Sequence, residues 1–160
     1  MNYESSITLI AEPKEIFAYI DDHKGFSSHM TKSSWMMGGG SMKVTTDEGN
    51  GQRIGSHIRL NGKAFGINLF LEEIITKYKP PNIKSWETVG IPRLLIIGSY
   101  KMGIEIKEGE NGSNVRVFID YQLPKTNTWL GILFSKLYAK WCVHQMISGV
   151  NKHFTKGDSS

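Results

Sequence analysis

The sequence predicts an α+β protein in which a curved antiparallel sheet of about seven strands wraps around a long C-terminal helix, with two short helices after the first strand. Two observations support this prediction. Strand-like segments separated by turn residues run from residue 42 to residue 123, and one amphipathic segment, residues 127–154, follows them. A sheet with one solvated face needs a single cover, and the closing helix supplies it. We expect a cavity between the sheet and this helix.

The N-terminal part of the chain contains one strand and the two short helices. Residues 5–11 form the predicted strand, and Pro13 suits the first turn of a helix that runs to about Ile20. Residues 21–24 interrupt the apolar spacing, and the second short helix is predicted over residues 26–33.

Six further strands are predicted over residues 42–46, 55–60, 64–78, 83–89, 95–107 and 114–123. Turn signals separate them, including Asn61-Gly62, Pro80-Pro81-Asn82 and the segment 109–113. The alternation of apolar and polar residues is cleanest in the last two strands, so we expect them to form an antiparallel hairpin with one dry face. Two sets of side chains make up that face: Tyr100, Met102, Ile104 and Ile106, and Val115, Val117, Ile119 and Tyr121.

The closing helix is amphipathic when its residues are projected at about 100° per step. Lys136 and Lys140 fall together on one flank. We predict that the broad face opposite the solvent lies on the sheet and turns from apolar to polar along its length: Leu130, Leu133, Phe134, Leu137, Trp141, His144, Gln145 and Ser148.

Length and composition indicate one domain, residues 1–155, followed by a small polar tail at 156–160. The chain is 39% hydrophobic and 21% charged, which is typical of an ordinary globular protein. Its first residues lack the pattern of a signal peptide, and no apolar run approaches the ~20 residues of a membrane span, so we expect a cytoplasmic protein. Cys142 is the single cysteine, which excludes an internal disulfide and a multi-cysteine zinc site.

Five stretches of the chain carry a resemblance to a known superfamily: AEPKEIFAYI (11–20), YKPP (78–81), WETVG (86–90), GSYKMG (98–103) and VFIDYQLP (117–124). With the order of elements, they resemble the SRPBCC superfamily, whose START-like helix-grip fold includes polyketide cyclase/dehydrase-like and coenzyme Q-binding-like proteins. The resemblance covers residues 3–154 and implies a deep, mainly apolar cavity between sheet and helix, with a few polar groups that orient a hydrophobic ligand.

Candidate ligand-binding residues are those whose direction on a strand or helix aims them at the implied cavity. They are Tyr100, Met102, Tyr121, Trp86, Leu137, Trp141, His144 and Gln145. The alternative for each polar member is an ordinary hydrogen bond inside the core, and for Trp86 it is core packing. The five histidines show no metal-ligand spacing, and no cofactor motif is present, so we expect neither a metal nor a cofactor. Cys142 and His144 lie about 200° apart on a helix and cannot form a simple nucleophile–base pair.

Three functions follow from these observations. We favour a protein that binds a small hydrophobic molecule, lipid-like, aromatic or polyketide-like. The second is a polyketide cyclase/dehydratase-like enzyme in the same cavity, with His144 as base and Tyr100 or Tyr121 as acid. The third is a lipid or quinone carrier or regulatory module with weak peripheral membrane contact, through a basic cluster of Lys77, Lys79 and Lys84. The lysines elsewhere are scattered, so we expect no nucleic-acid partner. Catalytic residues, ligand identity and oligomeric state are left open.

Overall fold

Seven antiparallel strands form one curved sheet, and a long C-terminal helix packs against its inner face. The computed structural model describes residues 1–22 and 42–155. The strands are β1 (Asn2–Leu9), β2 (Met42–Thr46), β3 (His57–Ala64), β4 (Ile67–Lys79), β5 (Ile83–Arg93), β6 (Tyr100–Gly109) and β7 (Gly112–Tyr121), and the helices are α1 (Pro13–Asp21) and α2 (Thr128–Thr155). The order across the sheet is β1-β7-β6-β5-β4-β3-β2. The predicted fold class is confirmed.

The turn between β3 and β4 lies four residues later than the sequence predicts. Asn61 and Gly62 were expected to form it, and this prediction is wrong, because both residues pair with β2 on one side and β4 on the other. The chain reverses instead at Phe65 and Gly66, whose φ angles are +50° and +75°. Continuing the strand keeps the backbone groups of Asn61 and Gly62 hydrogen-bonded, while the later turn requires a positive φ at both Phe65 and Gly66, which only glycine adopts without strain. The predicted second short helix, residues 26–33, lies outside the described residues.

Buried side chains form two clusters on the inner face of the sheet. One joins β1, α1, β6, β7 and the second half of α2, with Ile16, Val117 and Val143 completely buried. The other belongs to β2, β3 and β4: Met42, Ile58, Leu60, Leu71 and Ile75. Trp86 and Tyr100 contact both clusters from the middle of the sheet.

Helix α2 packs on β1 and β7 through a face of small and medium-sized residues. The buried members are Gly131, Ser135, Ala139, Val143, Met146, Ile147 and Val150. A Cβ atom at Gly131 would lie 2.4 Å from Pro124 Cδ, so only glycine permits the first turn of α2 to lie this close to the segment that precedes it. The predicted inward face is therefore wrong for its first half: Leu133, Phe134 and Leu137 are 64%, 43% and 55% exposed. The projection identified the most apolar arc of α2. In the first half of the helix the buried arc is instead the one with the smallest side chains, Gly131, Ser135 and Ala139.

Exposed apolar residues form a stripe along the N-terminal half of α2. We call Trp129, Ile132, Leu133 and Leu137 the α2 stripe; each is more than half exposed. Lys136 and Lys140 lie on the same side of the helix, because they follow Trp129 by seven and eleven residues, and both are exposed. Among the described residues, neither helix has the length and apolarity that a membrane span requires.

Lys84 does not belong to a basic surface cluster, contrary to the sequence prediction. Its side chain is 1% exposed on the inner face of β5, and its Nζ lies 2.6 Å from Asp21 Oδ1 at the end of α1. The Tyr78 hydroxyl donates a hydrogen bond of 2.7 Å to the other oxygen of Asp21. The pair therefore ties α1 to the sheet, and Lys77 and Lys79 remain as the lysines that flank the Pro80-Pro81 turn.

Candidate ligand-binding cavity

A cavity of about 120 Å³ lies between the inner face of the sheet and helix α2. It sits between the two buried clusters and takes its walls from both. Most of the lining is apolar, with Leu60, Leu71 and Leu94 on one side and Ile97, Met102 and Ile104 on the other. Its volume is close to the roughly 150 Å³ of a protein cavity that holds benzene, and it is smaller than the ~300 Å³ at which drug-sized sites begin.

Glu73 is the polar centre of this cavity. It lies on β4 between Leu71 and Ile75, and its side chain is 6% exposed. The Tyr100 hydroxyl donates a short hydrogen bond to Glu73 Oε1. The Trp86 side chain donates a second hydrogen bond to the same carboxyl group. Both donors are uncharged, and Glu73 makes no salt bridge with any described residue.

Burial changes the acid–base properties of the groups around Glu73. Removal from water raises the pKa of Glu73 to about 7, and the hydrogen bonds from Tyr100 and Trp86 oppose this rise only partly. The pKa of Tyr100 is raised well above its ordinary value, first by burial and then by the neighbouring Glu73 charge. At neutral pH Tyr100 is therefore a fixed hydrogen-bond donor, while Glu73 exchanges protons with its surroundings.

Helix α2 contributes a second pair of polar groups to the cavity, Tyr138 and Cys142. The two side chains hydrogen-bond to each other, and burial raises the pKa of the Cys142 thiol to about 12. A thiol that stays protonated is a poor nucleophile. His144 lies on the outside, where its Nε2 is 3.0 Å from the Tyr3 hydroxyl, so Cys142 and His144 do not meet.

Five of the eight predicted ligand-binding residues line the cavity, and three do not. Those in its wall are Trp86, Tyr100, Met102, Trp141 and Gln145. Tyr121 is buried in the cluster beneath α2, Leu137 belongs to the exposed α2 stripe, and His144 contacts Tyr3. The predicted combination of His144 with Tyr100 or Tyr121 is therefore not assembled in one place.

Glu73 is not among the predicted ligand-binding residues, although the spacing of its neighbours in the sequence places it on the inner face of the sheet. Leu69, Leu71 and Ile75 alternate along β4, and a strand places every second residue on the same face. Glu73 therefore shares the inner face with the three aliphatic residues. Glu72, the preceding residue of β4, lies on the outer face with its Oε1 3.0 Å from His57 Nδ1 and 3.0 Å from Arg59 Nε. His57 and Arg59 lie on the same outer face.

A second, larger depression of about 420 Å³ lies on the outer face of β5, β6 and β7. It is wide open to solvent, and charged side chains from neighbouring strands line it, including Glu87, Lys101 and Asp120. It therefore lacks the enclosure and the apolar walls of the inner cavity. Within residues 1–22 and 42–155, no group of three or more His, Cys, Asp or Glu side chains is placed to hold a metal ion.

Solved structures share this architecture over nearly the whole chain. TTHA0849 from Thermus thermophilus matches 99% of this chain and 100% of its own, with a TM-score of 0.68 and 15% identity. Ara h 8.0201 matches 98% of each chain, with a TM-score of 0.65 and 11% identity. The di-domain ARO/CYC protein StfQ from the steffimycin biosynthetic pathway matches 98% of this chain and 50% of its own, with a TM-score of 0.66 and 8% identity.

Sequence comparisons give no closer assignment. No protein-family model matches the chain, and no curated protein matches it significantly. At 15% identity or less, the structural likenesses establish the fold alone. The chain has the helix-grip fold, a curved antiparallel sheet closed by a long C-terminal helix.

Replacing Glu73 by glutamine tests the burial of this carboxyl group through the pH dependence of stability. The folded-state pKa of about 7 exceeds the ordinary 4.5, so the group stabilises the fold fully below pH 4.5, and this contribution is lost as pH rises through 7. The loss should amount to about 3 kcal/mol of unfolding free energy. In Glu73→Gln this decline should be absent, as measured by urea denaturation between pH 4.5 and 8.

Glu72→Gln is the matched control, because its carboxylate lies one residue away on the outer face of the same strand. This variant should keep the decline with rising pH. An identical pH dependence in the wild type and Glu73→Gln would show that Glu73 titrates as an ordinary exposed carboxyl group.

Proposed function

We propose that the protein binds a small hydrophobic molecule in the inner cavity, with one polar group of that molecule placed against Glu73 and Tyr100. The observation that carries this proposal is a mainly apolar cavity whose wall contains one buried carboxyl group and its two uncharged donors. Apolar walls with a few polar groups are typical of small-molecule sites. Burying the Glu73 carboxylate without a counter-charge among the described residues costs free energy that packing alone does not offset.

The cavity volume limits the ligand that this structure accommodates. About 120 Å³ admits a single six-membered ring, because a cavity of roughly 150 Å³ holds benzene. Each buried CH₂ group contributes about 0.8 kcal/mol to binding of such a ring. The names of two structural neighbours, StfQ and BexL, place those proteins in biosynthetic pathways, which supports a small-molecule role for the fold here.

Filling the cavity should abolish binding of single-ring probes. Toluene and indole should stabilise the wild-type protein, by about 2.7 kcal/mol at a ligand concentration of 100 Kd, as measured by thermal unfolding. Leu71 is 4% exposed in the cavity wall, so Leu71→Trp should place an indole ring in the cavity and remove this stabilisation. Circular dichroism reports whether the variant keeps its fold.

Leu133→Trp is the matched control, since the same substitution falls on the α2 stripe, 64% exposed and outside the cavity. It should bind both probes like the wild type. The proposal fails if neither probe stabilises the wild-type protein, or if a folded Leu71→Trp protein binds them with unchanged affinity.

The same cavity supports an enzymatic alternative similar to the polyketide cyclases. A carboxyl group that titrates near neutral pH both takes up and releases protons at working pH. Glu73 with Tyr100 therefore replaces His144 as the acid–base candidate of this alternative. Turnover of the native ligand that is lost in Glu73→Gln while binding is retained would indicate an enzyme. Binding without turnover in the wild type would indicate a binding protein.

A carrier that works at a membrane surface is the third candidate function, and the α2 stripe favours it. Four large apolar side chains are each more than half exposed along one side of α2. Lys136 and Lys140 continue the same side of the helix, and exposed Lys125 precedes it. Apolar residues beside lysines suit the boundary of an anionic bilayer, where each lysine contributes about 1 kcal/mol.

Vesicle flotation tests this candidate. At low salt the protein should float with vesicles that contain phosphatidylserine and stay unbound with phosphatidylcholine alone, and about 0.5 M salt should release it, because salt screens the lysine charges. The double variant Leu133→Glu/Leu137→Glu should lose vesicle binding. Ile10→Glu, at a residue that is 91% exposed outside α2, should retain it. Absence of binding at low salt would rule the candidate out, as would unchanged binding of the double variant.

A further inference from the structure

We propose that the ligand of the inner cavity is a protonated amine on a single-ring apolar body, with its ammonium group paired with Glu73. This inference rests on the proposed binding function and names the chemical class of the ligand. Two independent features of the cavity carry it: the state of its charges and the composition of its wall.

Two charged side chains line the cavity, Lys84 and Glu73, and among the described residues only Lys84 has a partner of opposite charge. Lys84 lines the cavity and is paired with Asp21 at 2.6 Å, so its charge is compensated inside the protein. Glu73 receives hydrogen bonds from Tyr100 and Trp86, neither of which carries a charge, and it forms no salt bridge with a described residue. An ammonium group beside Glu73 would supply a positive charge that no described residue provides, at a place where low polarity strengthens the attraction.

The wall around Glu73 is rich in aromatic rings. Trp86, Tyr100, Tyr138 and Trp141 all line the same cavity, and the rings of Tyr138 and Trp141 lie 5.7 Å apart. The faces of such rings attract cations, and tryptophan does so most strongly. A carboxylate among aromatic rings thus matches both parts of an aromatic or alicyclic amine, the charge and the apolar body.

A neutral ligand with an acceptor oxygen would require Glu73 to be protonated and to donate a hydrogen bond. If Glu73 stayed protonated, its O–H would donate to a carbonyl or hydroxyl oxygen of the ligand. Tyr100 and Trp86 donate hydrogen bonds to Glu73, and these bonds favour the carboxylate of Glu73 over its protonated form. The two cases differ in pH dependence, because an amine needs the carboxylate and a neutral acceptor needs the acid.

The other titratable groups around the cavity do not obscure this difference. Tyr100 on β6 and Tyr138 on α2 have pKa values raised well above the ordinary range, and burial raises that of Cys142 on α2 to about 12. Lys84 on β5 has a pKa lowered by burial, against the opposing effect of Asp21 on α1. A Glu73→Gln protein keeps all five of these groups, so its comparison with the wild type isolates Glu73.

Isothermal titration calorimetry with three probes tests the inference: benzylamine, benzyl alcohol and toluene, each at pH 5.5, 7 and 8. Benzylamine should bind the wild type about thirtyfold more tightly at pH 8 than at pH 5.5, because Glu73 ionises over this range. Toluene affinity should change less than twofold. Glu73→Gln should lose at least about tenfold in benzylamine affinity and keep its toluene affinity, and Glu72→Gln should match the wild type.

The three probes separate failure of the inference from failure of the proposed function. Toluene binding without a preference for benzylamine at pH 8 overturns the amine and leaves the hydrophobic site in place. Benzyl alcohol that binds more tightly than benzylamine, and weakens as pH rises, also overturns the amine in favour of a neutral ligand. Binding of none of the three overturns both. Should Glu73→Gln not fold, the pH series on the wild type alone decides among these outcomes.

Discussion

The close approach of helix α2 to strands β1 and β7 is the constraint on which the rest of the structure depends. Gly131, Ser135 and Ala139 belong to the buried face of the helix, and a Cβ atom at Gly131 would collide with Pro124 in the segment that joins β7 to α2. Because the helix is held against this end of the sheet, the space between it and strands β2 to β6 is filled incompletely, and the cavity lies there. The same contact turns the large apolar residues of the α2 stripe toward solvent.

Two acidic groups on the inner side of the sheet show different ways of keeping a charge out of water. Asp21 is neutralised by Lys84 and accepts a hydrogen bond from Tyr78, an arrangement that joins α1 to the sheet. Glu73 has hydrogen-bond donors and no described counter-ion, so desolvation governs it and its pKa rises to about 7. Asp21 has its counter-charge within the chain. The Glu73 carboxylate would be stabilised by a positive charge that the described part of the chain does not provide.

The periodicity of the sequence predicted the strands, their antiparallel hairpins and the long helix, because backbone geometry fixes where alternate residues point. It did not predict which face of α2 is buried. Leu133 and Leu137 raise the apolarity of one arc, but Gly131 and Ala139 allow the backbone to come closer, and only the assembled sheet reveals which arc fits. Glu73 was predictable by its spacing from Leu71 and Ile75. The pairing of Lys84 with Asp21, 63 residues apart in the chain, was not.

Glu73 is proposed to be the buried polar centre of a ligand site. Nuclear magnetic resonance of its labelled carboxyl carbon measures the pH at which this group titrates. In the free protein the carboxyl signal should titrate with a midpoint near pH 7, and saturating benzylamine should move that midpoint downward, since the ammonium group stabilises the carboxylate. A midpoint near 4.5 that does not respond to benzylamine would contradict the account, because it would describe a solvated carboxyl group remote from any ligand.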